Sequence, residues 1–229
     1  QTPRAHRATE LAIEFSKKGY DVTVYAVLGE YDYSDFMKNN KITVKDIGLK
    51  WQHKTYSSDF KIKRALIDKV LGRLFQRFFE FPDIEFYYKI PKLINKEPPF
   101  NTLISIANPH SVHWGCAKAK KKSPEKFPKK WIADCGDPYY SNGNSDKFKE
   151  RFKKMEQFFC KSTDFITVPI ESAIENYFAE YKEKIKVIPQ GFNFQVSEKI
   201  KLNPINKIPT FAYCGNFFSG YRDPTIFFE

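Results

Sequence analysis

The sequence lacks long apolar runs and paired-cysteine motifs. It contains no stretch of about 18 apolar residues, the length that a membrane-spanning helix requires. Residues 1–10 are mostly polar or charged, so we expect no secretory signal peptide. The four cysteines form no C-x-x-C pair, a pattern typical of reduced thiols in a cytosolic protein. They are Cys116, Cys135, Cys160 and Cys214.

Histidine is also scarce. The chain has only His6, His53, His110 and His113, and none is spaced from a cysteine as zinc ligands usually are. The sequence therefore predicts no zinc site.

The composition is that of a folded, basic protein. Apolar residues make up 41% of the 229 residues and charged residues 28%, which excludes a disordered chain. The net charge of +11 favours polyanions, anionic lipid surfaces or phosphorylated ligands as partners. A lysine-rich solvated surface explains the same charge equally well. The chain carries no helix-turn-helix, zinc-finger or RNP motif, so a nucleic-acid-binding module is the weaker alternative and we expect no nucleic-acid partner.

Helical and strand patterns alternate along the chain. Apolar periodicity predicts helices over 5–18, 59–79, 84–94, 111–120, 146–160 and 171–181. Short β-branched runs predict strands over 21–27, 42–47, 102–107, 131–133, 165–168, 185–188 and 208–213. This alternation predicts an α/β fold with a doubly wound, mostly parallel, Rossmann-like sheet and helices on both faces. The first helix has no strand before it, so we expect the first strand of that sheet to be missing.

The pattern also divides the chain. Residues 1–192 form the predicted Rossmann-like domain. Residues 193–207 are polar, contain Pro204 and lack periodicity, which indicates an interdomain linker. Residues 208–229 then begin a second domain.

Polar residues follow two of the predicted strands, at the sheet edge where open parallel sheets bind ligands. His110 follows the strand that ends at Ala107, and it could accept a proton or bind a hydroxyl or phosphate. Asp134 and Asp137 follow the next strand, and such carboxylates can orient hydroxyl groups or act as a base. Ordinary alternatives remain open: a solvated ring at a helix start for His110, and turn chemistry for the two aspartates.

Two later segments follow strands in the same way. Residues 187–193 (V-I-P-Q-G-F-N) pass from a strand into a Pro-Gly turn, for which a plain loop is the simpler interpretation. Residues 213–224 contain Gly215, a second glycine and Arg222, which could approach a diphosphate. They match neither G-x-G-x-x-G nor Walker A, so this motif alone is weak.

Taken in order, these segments resemble family 4 glycosyltransferases of the GT-B class, especially bacterial cell-surface polysaccharide enzymes. Residues 3–12 and 19–24 resemble the family's first helix and second strand, without the glycine-rich loop that precedes this helix. Residues 134–138 (D-C-G-D-P) resemble its D-x-R-D-P motif, with Gly136 where arginine is usual. Residues 187–193 are similar to its V-I-P-N-G-V-D.

The resemblance implies an activity and a set of site residues. It implies transfer of a sugar from a nucleotide-diphosphate sugar to a cell-surface polysaccharide or a lipid-linked acceptor, with no obligatory metal or cofactor. The first domain would hold the acceptor through Asn108 and Arg4, and the catalytic groups would be His110, Asp134 and Asp137.

The donor would meet the start of the second domain. Residues 215–222 resemble the loop that opens the family's donor domain, which implies donor contacts from Gly215, Asn216 and Arg222. Relatives carry basic residues at the last two of these positions, and only Arg222 keeps the charge. The family's Glu-x7-Glu motif is expected beyond Glu229, so we expect no transferase turnover from residues 1–229 alone. A non-catalytic carbohydrate- or nucleotide-binding domain is the alternative.

Residues 61–88 mix lysine and arginine with phenylalanine and tyrosine. This combination suits the headgroup region of an anionic membrane, where lipid-linked acceptors reside. A core-packing helix pair with a solvated basic face is the more economical interpretation. The cysteine pattern predicts a cytoplasmic protein. Peripheral association at the inner membrane face is a further prediction, which rests on residues 61–88.

Overall fold

A computed structural model describes residues 3–50, 80–140 and 149–191, with a few single positions beyond residue 207. The chain divides into two compact units, residues 1–191 and residues 192–229. Nearly all described residues lie in the first unit, and only that unit is described below. The predicted helix over 59–79, the predicted linker and the predicted strand over 208–213 lie largely or wholly outside the described residues.

The first helix, α1, spans Pro3–Lys17 and ends in a Schellman cap. The amide of Gly19 donates to the carbonyl of Ser16, and that of Tyr20 donates to that of Phe15. Gly19 has a φ of +86°, a backbone conformation that glycine adopts without steric cost. The rings of Phe15 and Tyr20 close the cap with an edge-to-face contact at 5.7 Å. Gly19 therefore marks the end of α1.

A two-stranded parallel sheet follows. Strand β1 (Val22–Ala26) pairs in parallel with β2 (Ile42–Asp46), and helix α2 (Ser34–Asn40) connects them. The tyrosine hydroxyl of Tyr25 on β1 and the ammonium of Lys45 on β2 both donate to the carboxylate of Glu97, which follows helix α3 (Glu85–Ile94). This small sheet is therefore attached to the rest of the unit by charge-assisted hydrogen bonds.

Four further strands form a second parallel sheet in sequence order. They are β3 (Thr102–Ile106), β4 (Lys130–Asp134), β5 (Phe165–Val168) and β6 (Ile185–Val187). Helix α4 (Ser111–Lys122) connects β3 to β4, and helix α5 (Lys149–Ser162) precedes β5. Parallel pairing puts the carboxyl ends of β3, β4 and β5 at one edge. The parallel α/β arrangement is confirmed.

The core lies between the helices and the four-stranded sheet. Trp114, Trp131, Phe159 and Ile166 have no solvent-exposed surface. Helices α3 and α4 approach closely at Gly115, because a Cβ there would lie 2.8 Å from the backbone oxygen of Phe86. The close contact explains glycine inside a helix despite its poor helix propensity.

One predicted helix is not observed, and one observed helix was not predicted. The stretch 171–181 forms no α-helix; it contains the 3-10 helices Glu171–Asn176 and Ala179–Lys184. The residue after the first, Tyr177, has an extended backbone with ψ of 157°, which prevents one continuous helix. Helix α2 was absent from the prediction, because its seven residues include no buried side chain and hence no apolar periodicity. Within the described residues, no helix is long and apolar enough to span a membrane.

Candidate functional site

The candidate site lies where β3 and β4 end. His110 is the residue before α4, four positions after β3 ends, and Asp134 is the last residue of β4. Because the two strands are parallel neighbours with Ile106 opposite Asp134, the segments that follow them leave the sheet at the same edge. The structure therefore places His110, Asp134 and Asp137 at the sheet edge where their positions in the sequence predict them.

Asp134 is buried and fully engaged. The Nε and Nη2 atoms of Arg7 donate to its two oxygens at 2.7 and 2.8 Å, which is a bidentate pair, and the hydroxyl of Thr167 donates to Oδ1 at 2.6 Å. Arg7 also donates to the carbonyls of Ile188 and Pro189. Asp134 thus ties α1, β4, β5 and the segment after β6 together. A carboxylate held in this way positions its neighbours and is poorly placed to abstract a proton.

Arg4 lies one helical turn before Arg7, and its guanidinium lies over Gly136. A Cβ added to Gly136 would lie 0.9 Å from Nη2 of Arg4, so the guanidinium fills the space of a side chain at that position. Arg4 also approaches Asp134, with Nη1 3.9 Å from Oδ2, and its side chain keeps 24% of its surface exposed. A partly exposed guanidinium at a sheet edge is suited to binding a carboxylate or a phosphate.

His110 and Asp137 differ in how exposed their side chains are to solvent. The Asp137 side chain is exposed, as is that of Asn108. The His110 ring packs against Tyr139 and Phe159, and its Nδ1 is buried without a hydrogen-bond partner. Burial is the main reason that the pKa of His110 falls to about 4, so the imidazole is neutral at physiological pH.

A second histidine lies beneath the first. The Nε2 atom of His113 is 3.3 Å from Sγ of Cys135, and its Nδ1 is 2.8 Å from Oγ of Ser105. The indole N–H of Trp131 donates to the same Ser105 oxygen at 2.8 Å. Burial lowers the pKa of His113 well below its usual range and raises that of the Cys135 thiol to about 12. This buried network of side-chain contacts links β3, α4 and β4 behind the sheet edge.

A partly buried carboxyl group, Glu80, and a fully buried one, Glu156, adjoin the same segment. Tyr139 donates its hydroxyl to Glu80, and the amide of Tyr140 donates to Glu156 at 2.7 Å. Burial is the first cause that raises the pKa of Glu80 and of Glu156, in each case to about 7. Perturbed carboxyl groups of this kind are common at functional sites and also occur in structural networks.

The described residues thus bring together five of the predicted site residues: His110, Asp134, Asp137, Asn108 and Arg4. Asn216 and Arg222, the predicted donor contacts, lie outside the described residues, and for Gly215 only its exposure is described. The roles assigned to all eight remain predictions.

Four residues of this region were missed in the sequence: Arg7, His113, Cys135 and Glu156. Arg7 lies three positions after Arg4 on the same helix face, a signal that helical spacing could have provided. Cys135 is 22 positions from His113, and only the parallel pairing of β3 and β4 brings their side chains together. Linear spacing, on which the expectation of no zinc site rested, could not detect that contact.

Comparison with known proteins identifies no relative. The chain matches no protein-family model, no curated protein and no solved structure.

Proposed function

We propose that this chain contains the acceptor-side domain of a glycosyltransferase that uses a nucleotide-diphosphate sugar. One observation carries the proposal: a parallel α/β sheet presents Arg4, His110 and Asp137 together at the carboxyl edge of its strands. Ligands of open α/β sheets bind at that edge. The fold alone would be compatible with many activities, so the argument rests on these side chains.

The arrangement of the strands supports a doubly wound sheet. In the described residues β1 and β2 form one sheet and β3 to β6 another. The doubly wound order 3-2-1-4-5-6 places its first strand between those two groups. This grouping supports our proposal of a doubly wound order, in which β1 and β2 lie on one side of the first strand and β3 to β6 on the other.

Arg4 supports the comparison with the D-x-R-D-P motif. The motif has arginine where this chain has Gly136, and the guanidinium of Arg4 fills the space beside that glycine. We propose that Arg4 provides from helix α1 the positive charge that the family provides from the motif itself. Its place at the edge suits a phosphate of the donor or an anionic group of the acceptor.

The other residues of the site have separate proposed roles. Asp137 has the exposed carboxylate, so it is the best candidate to accept a proton from, or orient, an acceptor hydroxyl. His110 is a neutral hydrogen-bonding group, and Asn108 is exposed beside it. Asp134 holds Arg7 and thereby the edge itself. For the donor, we propose Gly215, Asn216 and Arg222 as contacts, as the family resemblance implies.

The test is binding and turnover with defined donors. The chain, and any longer protein that contains it, is assayed with UDP-glucose, UDP-N-acetylglucosamine and GDP-mannose. Saturation-transfer NMR measures binding, and release of the nucleoside diphosphate measures turnover. We expect Asp137→Asn to reduce turnover at least tenfold with little change in donor affinity. Unchanged turnover in both Asp137→Asn and Arg4→Ala would overturn the proposed roles.

The alternative function is a non-catalytic carbohydrate- or nucleotide-binding domain. Asp134 supports this alternative, because its hydrogen bonds with Arg7 leave one carboxylate of the motif unavailable for chemistry. Saturable sugar binding without any release of nucleoside diphosphate, from the chain or from any longer protein that contains it, would favour this alternative.

The proposed acceptor also motivates a membrane assay. The ammonium of Lys118 lies over the rings of Tyr87 and Tyr88. Tyr88 is 53% exposed, so part of the basic, aromatic stretch 61–88 is at the surface. We propose that the protein is cytoplasmic and that an anionic membrane surface is one of its partners. Flotation with phosphatidylglycerol vesicles at low and high salt tests it, and absence of salt-sensitive binding would contradict it.

A further inference from the structure

Three potential metal ligands meet where the candidate site borders the core. His110, His113 and Cys135 each offer one ligand atom, and these atoms all lie within 4.8 Å of one another. The two histidines are three positions apart at the start of α4, so their rings point from one face of the helix. Cys135 follows β4 directly. Nitrogen and thiolate sulfur are the ligands that Zn²⁺ prefers in proteins.

The distances agree with a tetrahedral ion. Zn–N bonds of about 2.0–2.1 Å and Zn–S bonds of about 2.3 Å place neighbouring ligand atoms about 3.5 Å apart. Nε2 of His113 and Sγ of Cys135 are already 3.3 Å apart. All three ligand atoms lie within 4.8 Å of one another, so the ring nitrogen of His110 would have to approach by at most about 1.3 Å to reach this spacing.

The surroundings of His113 support the same interpretation. A metal-bound histidine usually donates its second ring N–H to an oxygen that fixes the ring. Nδ1 of His113 is 2.8 Å from Oγ of Ser105, and that oxygen is itself fixed by the indole N–H of Trp131. His113 is fully buried, so this orientation is held by packing as well as by hydrogen bonds.

A second and independent observation comes from His110. Its Nδ1 is buried and has no hydrogen-bond partner, and an orphaned buried polar atom needs an explanation. The carboxyl oxygen Oε1 of Glu156 is also buried without a hydrogen-bond partner. Asp134, Glu156 and Arg4 are the charged groups that act on the Cys135 sulfur, and two of them are carboxylates. A cation bound here would give the nitrogen a partner.

We propose that His110, His113 and Cys135 bind one transition-metal ion of the Zn²⁺ class, with a water molecule as the fourth ligand. Binding releases the thiol proton of Cys135 to solvent and forms one Zn–S and two Zn–N bonds. The ion fixes the start of α4 to the segment after β4 and so holds the candidate site in place. His110 binds through Nδ1, which leaves Nε2 directed elsewhere. The inference does not depend on the proposed transferase function.

The experiment uses the untagged chain, freed of metal with a chelator and then titrated with Co²⁺ or Zn²⁺. We expect one equivalent of Co²⁺ to produce a thiolate-to-cobalt charge-transfer band and tetrahedral visible bands. Zn²⁺ should displace Co²⁺ and raise the melting temperature of the chain. Zinc content is measured by mass spectrometry after gel filtration.

Cys135→Ser and Cys116→Ser form the matched pair of variants. Both thiols are buried and free, but only Cys135 belongs to the cluster. We expect Cys135→Ser to lose the charge-transfer band and at least tenfold in Co²⁺ affinity, whereas Cys116→Ser keeps both. If Cys135→Ser fails to fold, the test is made on the wild-type chain instead. Removal of metal should lower its melting temperature, and addition of Zn²⁺ should restore it. A chain that takes up no Co²⁺, or an unchanged band in Cys135→Ser, overturns the proposal.

Discussion

Residues at the carboxyl edge divide into those that hold the edge together and those that remain available to a ligand. Asp134 and Arg7 belong to the first group, with 2% and 8% of their surfaces exposed. Arg4 and Asp137 belong to the second, since both retain solvent-accessible surface. The distinction matters because a mutation in the first group should reduce stability, whereas one in the second should affect binding or turnover alone.

Gly136→Ala should displace Arg4 without unfolding the chain. The new Cβ would occupy the space of a guanidinium at the end of a flexible side chain, so the arginine can move away. We expect a stability loss below about 1 kcal/mol, together with the same binding defect as Arg4→Ala. Urea denaturation and sugar-nucleotide binding measure the two effects. A Gly136→Ala variant that binds as the wild type does would contradict the assigned position of Arg4.

Arg7→Ala should be strongly destabilising. It leaves buried Asp134 with only the hydroxyl of Thr167 and the more distant guanidinium of Arg4, 3.9 Å away, as side-chain partners. Removal of one member of a buried pair costs about 3–5 kcal/mol. Urea denaturation at neutral pH measures the loss. Lys17→Ala breaks an exposed ion pair with Glu14 and serves as the control, for which no measurable change is expected. Equal stabilities of the two variants would refute the structural role of Arg7.

Glu156→Gln should change how stability depends on pH. Burial raises the folded-state pKa of Glu156 from 4.5 to about 7, so the folded chain binds more protons than the unfolded chain between these values. The wild type should therefore lose stability as pH rises from about 4.5 to 7, and no further above that range. The loss from this group is up to about 3 kcal/mol at 1.36 kcal/mol per pKa unit.

The variant should remove that loss. The amide oxygen of glutamine can accept the Tyr140 N–H that Glu156 accepts now. We expect Glu156→Gln to match the wild type at pH 4.5 and to exceed it at pH 8, as measured by urea denaturation at both values. Neither Cys135 nor Tyr177 beside it titrates in this range, because burial raises the pKa of both groups. A difference that is the same at both pH values would show that Glu156 ionises normally.

At the scale of elements, turns and close approaches determine where each helix ends and how helices pack. The Schellman cap ends α1, and Lys184 caps α5 by donating to the carbonyls of Cys160, Lys161 and Thr163. A lysine at a helix C-terminus both binds free carbonyls and opposes the negative end of the helix dipole. These contacts set the directions in which α1 and α5 lead into β1 and β5.

Gly19→Ala tests the cap of α1. Nothing lies within 4 Å of an added Cβ, so the cost comes only from the φ of +86°. We expect a loss of about 1 kcal/mol in the free energy of unfolding. Gly29→Ala is the matched control, because that site is equally open and has no such φ, and its change should be within about 0.5 kcal/mol. Thermal denaturation monitored by circular dichroism distinguishes the two.

At the scale of the whole molecule, residues 1–191 form a unit with its own core. That unit contains both sheets, the described helices and the buried cluster around Trp114 and Trp131. The isolated fragment 1–191 should therefore unfold cooperatively at nearly the same urea concentration as the full chain. A fragment that shows no cooperative transition would mean that residues 192–229 complete the core.

The sequence by itself determined most elements of the first unit. Alternating periods of 3.6 and 2 residues place α1, α4 and the strands β3 to β5, and Gly19 marks the end of α1, because these signals are local and depend on burial of one face. The pattern over 171–181 misled, since it resembles a helix while the extended backbone at Tyr177 divides the segment. Position along the strands also placed His110, Asp134 and Asp137 at one edge.

Only the tertiary structure decided what those side chains do. Asp134 and Asp137 are three positions apart and chemically identical, yet Arg7 from α1 engages one and leaves the other exposed. The approach of Cys135 to His113 and of Arg4 to Gly136 depends on strand pairing and helix packing across distances of 22 and 132 positions. Such contacts leave no periodic trace in the sequence, because they join residues whose separation is set by the fold.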